Sequence, residues 1–240
     1  MKGFAASALF LFLAASGSWA AQSSERVDPD QRAEAWKAAL RKIDGQLRNS
    51  ELAPAREGAI ALAQDMAEQM GTGGRGAYSL AVACAFRAIA EAGLSQDRDA
   101  LWSWRMAQIF FPEIDKTDLR PYGAPAARLK ESRFRAQFPG QDLDPPKGSV
   151  VQAPVLKKRI EPSYPEKMRK MFVATSLKLD LLIDTKGIPR EPKALTPVKE
   201  PSFVYAVLEA IRQWEFEPAT FNGQPVTAHY ELEVTFAPQE

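Results

Sequence analysis

The stretch from Ile160 to Phe236 constrains the fold most, because its apolar pattern changes period along its length. Its last eight residues alternate between polar and apolar side chains, which predicts a strand with one buried face. Residues 176–183 alternate in the same way, and only Leu182 breaks their polar side. Between these runs, apolar residues at i, i+4, i+7, i+8 and i+11 predict one buried helix face; they are Phe203, Val207, Ala210, Ile211 and Trp214.

Prolines and glycines in the same stretch predict where these elements end. Pro218 cannot continue the helix, and Asn222-Gly223 tolerates the positive φ angles of a tight turn. Pro189 and Pro192 interrupt the second strand, which places that strand at a sheet edge, because proline cannot donate to a ladder. The segment therefore reads strand, turn, strand, helix, turn, strand, and the last strand is expected at the opposite edge.

This order resembles the C-terminal domain of the TonB family of periplasmic energy transducers, over about the last third of the chain. The resemblance rests on Pro162-Ser163-Tyr164-Pro165-Glu166, Ile183-Asp184-Thr185-Lys186-Gly187, Ala210-Ile211-Arg212-Gln213-Trp214, Phe216, Pro218-Ala219, Asn222-Gly223 and Pro225-Val226. Two departures stand out. Met171-Phe172-Val173-Ala174 replaces glycines before the first strand, and Phe203-Val204 replaces a Leu-Asp pair early in the helix.

The resemblance implies an α+β domain with a three-stranded antiparallel sheet and a packed helix. It also implies a non-enzymatic role, in which the domain pairs with a short extended segment of an outer-membrane receptor. The predicted partner-binding edge strand is His229, Tyr230, Glu231, Leu232, Glu233, Val234, Thr235 and Phe236. Two alternatives remain open: Glu231 and Glu233 keep the edge free of partners, or a second copy covers it in a homodimer.

The N-terminus predicts export. Lys2 precedes an apolar run that is too short for the roughly 20 residues of a membrane span, and Ser18 and Ala20 suit cleavage after residue 20. No cysteine directly follows that run, which excludes lipid attachment there. We therefore expect a signal peptide at 1–20 and a periplasmic protein. The alternative is an uncleaved inner-membrane anchor, which would make the chain an energy transducer for TonB-dependent transport.

Residues 21–138 are predicted to form an all-α domain of helical hairpins. Five helices are expected, and the third is apolar nearly all round, with only Arg87 and Glu91 charged, which is typical of a central helix. Ala100, Trp104 and Ala107, with Pro112 after them, match part of a tetratricopeptide repeat, although its first helix does not fit the 34-residue period. We expect this domain to recruit a second partner.

The proline-rich residues 139–154 predict a linker, and residues 155–240 the TonB-like domain. The charges give no electrostatic reason to expect nucleic-acid binding, since 31 Lys and Arg balance 30 Asp and Glu. The glycines between 71 and 76 lack the strand and the Gly-Lys-Ser/Thr ending of a phosphate loop. No cofactor site is expected.

No enzyme signature or metal site is predicted either. His229 is the only histidine, and with Glu231 and Glu233 it offers too few converging ligands for a metal. Cys84 lies in the most apolar helix, far in sequence from that histidine, and is interpreted as core packing.

A basic cluster precedes the first strand. Its members are Lys157, Lys158, Arg159, Lys167, Arg169 and Lys170. Such a run is typical of a solvated face, but it could also meet an acidic partner or an anionic glycan. The second alternative to a binding role, after the anchored energy transducer, is therefore a structural cell-envelope protein that binds peptidoglycan through Lys167, Arg169 and Lys170.

Overall fold

A computed structural model describes residues 28–72, 76–136 and 151–238. The predicted signal peptide lies outside these residues, as does the linker up to residue 150. The α-helices are α1 (Pro29–Arg48), α2 (Leu52–Gln69), α3 (Ala77–Gly93), α4 (Asp97–Phe110), α5 (Gly123–Ala136), α6 (Glu166–Lys170) and α7 (Pro201–Ile211). The strands are β1 (Val151–Gln152), β2 (Val155–Lys158), β3 (Thr175–Ile183), β4 (Pro189–Ala194), β5 (Glu215–Glu217), β6 (Ala219–Phe221), β7 (Gln224–Val226) and β8 (Ala228–Phe236).

The first five helices follow the predicted order. Asp28 caps α1 by accepting from the amide of Asp30, and Pro29 occupies the first helical position, where no N–H is needed. Gly71 follows the end of α2 and suits a left-handed helix cap, but the structure does not have one there. Met70 ends α2 in an extended conformation, and the left-handed glycine is Gly76, which begins α3.

Helix α3 is central, as predicted. It packs against α1, α2, α4 and α5. Its two charged residues, Arg87 and Glu91, are themselves buried. A helix buried on every side must satisfy such charges internally, and their partners lie partly in the C-terminal domain.

The C-terminal domain contains the predicted three-stranded antiparallel sheet, in the order β4-β3-β8. Strand β3 pairs with β8 along its whole length, from Thr175 opposite Phe236 to Ile183 opposite Ala228. The proline-bearing β4 lies at one edge, which confirms the prediction from Pro189 and Pro192. The order also places the last strand at the other edge.

Helix α7 contacts the sheet and the helical domain at once. Phe203 packs on Phe236 with ring centroids 4.6 Å apart, while α2 and α4 contact the helix from the other side. Every residue of α7 except Glu209 is therefore buried. The predicted face was too narrow, since it omitted Val204, Tyr205 and Leu208. The helix also ends at Ile211, well before Pro218, because Trp214 already leads into β5.

Short elements around the sheet were not predicted. Strands β2 and β5 form a two-stranded sheet, and β1, β6 and β7 form another. The predicted tight turn at Asn222-Gly223 joins β6 to β7, with φ angles of 49° and 81°. Within the described ranges, no helix has both the length and the apolar character to cross a membrane.

Candidate functional site

The predicted binding residues lie on β8, which pairs with one neighbour, β3, among the described residues. Val234 and Phe236 are buried, and Tyr230 and Leu232 are half-buried against the core. The alternate residues are more exposed and face outward; they are His229, Glu231, Glu233 and Thr235. The alternation predicted from the sequence is therefore present.

Hydrogen bonds made by the central strand, β3, show to which side the backbone N–H and C=O groups of β8 point. The carbonyl of Lys178 accepts from the amide of Leu195 at 2.8 Å, and its own amide donates to Thr196 Oγ1 at 3.3 Å. Lys178 thus directs its backbone toward the β4 side, away from Glu233, its partner on β8. In an antiparallel pair of this kind both backbones point outward, so Glu233 presents its N–H and C=O to the open edge.

The orientation of the Glu233 backbone groups determines the orientation of the backbone groups in the rest of β8. Successive residues of a strand point their backbone groups to opposite sides. Leu232 and Val234 therefore bond to β3, while four residues direct their backbone groups outward: His229, Glu231, Glu233 and Thr235. These are the residues whose side chains also lie on the exposed face.

The opposite edge of the sheet is covered. Helix α4 packs along β4, and Arg105 of α4 forms an ion pair with Glu191 of β4. Glu191 lies at a register shift in the β3–β4 pairing and has a φ of 48°. This bulge places its carboxylate against the helical domain. The edge of β8, by contrast, pairs with no further strand in the part of the chain that the structure describes.

Side chains on the outer face of β8 are held against β3. Nδ1 of His229 lies 3.0 Å from both carboxylate oxygens of Asp180, which is buried although the alternation predicted it on the polar side. Ser176 donates to Glu233 at 2.5 Å, and Lys178 Nζ lies 3.8 Å from the same carboxylate. These contacts hold the side chains against the face of the sheet.

A buried ion cluster joins the two domains. Glu91 is fully buried and accepts from Arg87 at 3.0 Å, Ser103 at 2.6 Å and Arg212 at 3.0 Å. Arg87 also binds Glu209 of α7 at 2.7 Å. The cluster thus ties α3 and α4 of the helical domain to α7 and the residue that follows it.

Electrostatics favour the charged forms of Arg87 in this cluster and of Asp99 beside it. Burial opposes the charge of Arg87, but the carboxylates of Glu209 and Glu91 outweigh it and raise the pKa of Arg87. Burial likewise opposes ionisation of Asp99, yet the nearby Arg212 guanidinium lowers the pKa of Asp99 below its ordinary value. The alternating charges therefore compensate one another within the interface.

The proposed basic surface is only partly free. Lys167 donates to the backbone carbonyl of Gln69 at 3.1 Å, and Lys170 lies 2.5 Å from Glu166. Arg169 is exposed and makes no ion pair with any residue that the structure describes. The three cations predicted to act together thus have different surroundings.

The remaining candidates contain no assembled reactive group. Across residues 28–72, 76–136 and 151–238, no group of three or more His, Cys, Asp or Glu side chains is placed to hold a metal. Burial raises the pKa of the Cys84 thiol well above its ordinary value, which disfavours the reactive thiolate. A cleft of about 570 Å³ between α4, α5 and the β3–β4 turn includes three carboxylates, all paired with arginines: Asp97, Asp184 and Glu191.

Sequence reasoning missed the interdomain cluster. Its signal was two charges inside an otherwise apolar helix, Arg87 and Glu91, together with a helix α7 that is apolar on all sides. Such patterns indicate elements covered by a second domain. The covered β4 edge was missed as well, because the contact between α4 and β4 joins residues far apart in the chain.

Comparisons with known proteins agree with this architecture. The family described as Gram-negative bacterial TonB protein C-terminal matches residues 160–238. The chain is also 26% identical over 88 residues to Protein TonB of Vibrio cholerae serotype O1, a match that covers 36% of this chain. It spans about a third, 36%, of the length of that relative. The segment 160–238 of this chain is therefore a TonB C-terminal domain.

Proposed function

We propose that this chain is a non-enzymatic, TonB-like binding protein of the periplasm that pairs with an extended segment of an envelope partner. The supporting observation is the edge of β8, where the residues with exposed side chains also direct their backbone groups outward. A partner strand would form main-chain hydrogen bonds along residues 229–236. An outer-membrane receptor is the partner that the TonB C-terminal domain favours.

The helical domain contributes by leaving one edge for pairing. Because α4 covers β4, an added strand can pair with the three-stranded sheet at the β8 edge but not at the β4 edge. The buried cluster around Glu91 also joins the helical domain to the end of α7, which packs on this sheet. A partner therefore meets a preformed edge, which lowers the entropy cost of pairing.

Proline at Glu233 tests the pairing. Because the amide of Glu233 points outward, Glu233→Pro removes a donor from the open edge while the ladder to β3 remains. Binding should be lost and the thermal unfolding midpoint nearly retained. Glu233→Ala is the matched control, since it removes the carboxylate but keeps the N–H, and it should bind. Equal binding by the proline variant would refute strand addition.

Crosslinking in the periplasm identifies the partner. A photoreactive residue replaces Glu231 on β8 or, as control, the exposed Lys193 on the covered β4. Capture of an outer-membrane receptor from residue 231 alone supports the proposal. Crosslinks only between copies of this chain would mean that the edge is closed in a homodimer, and the helical domain would then be the place to seek the function.

Two further measurements separate the alternatives. The mass of the mature chain distinguishes a secreted protein beginning at Ala21 from an anchored energy transducer that retains residues 1–20. Pelleting with isolated peptidoglycan sacculi, and its loss when Lys167, Arg169 and Lys170 are neutralised, would favour a structural cell-envelope protein.

A further inference from the structure

The turn after α6 presents an exposed aromatic residue in an unfavourable backbone conformation. Phe172 has a φ of 54° and is 70% exposed, and its neighbour Met171 is 47% exposed. Bulky side chains rarely adopt a left-handed conformation, because Cβ approaches the following carbonyl oxygen. An exposed phenylalanine gains little from burial to offset that cost.

The conformation belongs to a defined helix ending. The amide of Val173 donates to the carbonyl of Met168 at 3.1 Å, and the amide of Phe172 donates to Arg169 at 3.1 Å. These two bonds are a Schellman motif with Phe172 at the left-handed position, which glycine usually occupies. Helices α1 and α3 end with the same pair of bonds, and there the left-handed residues are Ser50 and Ser95.

The turn is held rigidly. Met168 is fully buried, Lys167 donates to the carbonyl of Gln69, and Glu68 accepts from the amide of Glu166 at 2.6 Å. On the other side, the hydroxyl of Tyr164 donates to the carbonyl of Val173. The two apolar side chains therefore project from a fixed base on the helical domain.

Their surroundings are cationic. Arg169 and Lys170 are exposed and directly precede Met171 and Phe172. Of the acids near the turn, Glu166 is already paired with Lys170, and Glu68 accepts from the amide of Glu166. We propose that Met171 and Phe172, flanked by Arg169 and Lys170, form a membrane-docking turn that inserts into the headgroup region of an anionic lipid bilayer. Apolar side chains enter the interface while flanking cations attract the lipid phosphates.

A bilayer fits this turn better than a protein partner. Two adjacent side chains on a convex turn present far less than the roughly 1,000 Å² that a specific protein interface buries. A lipid surface needs no complementary pocket, and a few inserted apolar groups with neighbouring cations suffice for reversible binding. This docking is independent of strand pairing at β8.

The test places an environment-sensitive fluorophore at the turn. Because Cys84 is buried, Met171→Cys in the full chain can be labelled selectively with a nitrobenzoxadiazole dye. Vesicles of phosphatidylglycerol and phosphatidylethanolamine should shift the emission to the blue, and the shift should shrink as salt is raised. Phosphatidylcholine vesicles should produce none. The same dye at Ser95→Cys should not respond, which separates the turn from any insertion by residues 1–20.

Variants then establish the cause. Adding Phe172→Asn to the labelled chain should abolish the shift, while Ser95→Asn should leave it unchanged. Asparagine tolerates the left-handed conformation, so neither change should lower the unfolding midpoint by more than about 2–4 °C. A shift that persists in Phe172→Asn, an equal shift on neutral vesicles, or no shift at all would overturn the proposal.

Discussion

Replacing Glu91 with glutamine removes one charge from the buried cluster that joins the two domains. The carboxylate is 0% exposed and accepts from Arg87, Ser103 and Arg212. In Glu91→Gln the side chain keeps its size but loses its charge. The buried guanidinium of Arg87 and the largely buried one of Arg212 would then face a neutral amide, so the effect measures electrostatic compensation and not a cavity.

The magnitude follows from what remains around each arginine. Removing one partner of a buried ion pair costs about 3–5 kcal/mol, because the remaining charge is left uncompensated. Arg87 retains Glu209, and Arg212 retains Asp99 at 2.9 Å. We therefore expect the low end, about 3 kcal/mol. For a chain of this size, that corresponds to a fall in Tm of roughly 6–12 °C.

Urea unfolding monitored by circular dichroism gives the free energy of unfolding of each variant. The matched control is Glu131→Gln, the same chemical change in an exposed ion pair with Arg135, which should cost less than about 0.5 kcal/mol. Glu91→Gln should cost less in an Arg212→Gln background, since the two side chains interact directly. Equal effects of Glu91→Gln and Glu131→Gln would refute the argument that this cluster stabilises the interface.

Three further outcomes are expected. Gly187→Ala should destabilise the fold by more than about 3 kcal/mol in urea unfolding, because φ is 75° and an added Cβ would lie 1.8 Å from the carbonyl oxygen of Phe216. Cys84 should react with a thiol reagent only as the chain unfolds, because burial raises the pKa of its thiol, and the reaction rate in native buffer measures this. Acid should unfold the protein in part through Asp184: burial opposes its ionisation, but the amides of Ile188 and Lys186 and the guanidinium of Arg190 lower its pKa. A lowered folded-state pKa gives stability that is present above about pH 4 and lost as pH falls further, so Asp184→Asn should flatten the dependence of Tm on pH in that range.

The order of elements in the C-terminal domain could be predicted because its local signals agree. The alternating runs of β3 and β8 and the prolines of β4 all specify one three-stranded sheet. The turn at Asn222-Gly223 was predicted for the same reason, since both residues accept positive φ. Where a residue type strongly prefers one backbone conformation, a single sequence is sufficient to predict the local structure.

The short strands were missed because their stabilisation is not local. Strands β5, β6 and β7 have three residues each, too few to show a period. Their position depends on distant contacts, such as the indole N–H of Trp214, which donates to the carbonyl of Ile160 at 2.8 Å. A three-residue segment contains no pattern that could predict a hydrogen bond between residues more than fifty positions apart.

The sequence of helix α7 contains a signal for a second covering layer. Its apolar residues occupy every side, although a helix packed only on a sheet needs one stripe. The second covered side belongs to α2 and α4, so the excess of apolar residues already required a second layer. Helix α4 of that layer also packs against β4, so it covers one edge of the three-stranded sheet. If strand pairing at β8 is the function, the helical domain acts first by closing the alternative edge. Loss of the Glu91 cluster should then weaken partner selectivity as well as stability.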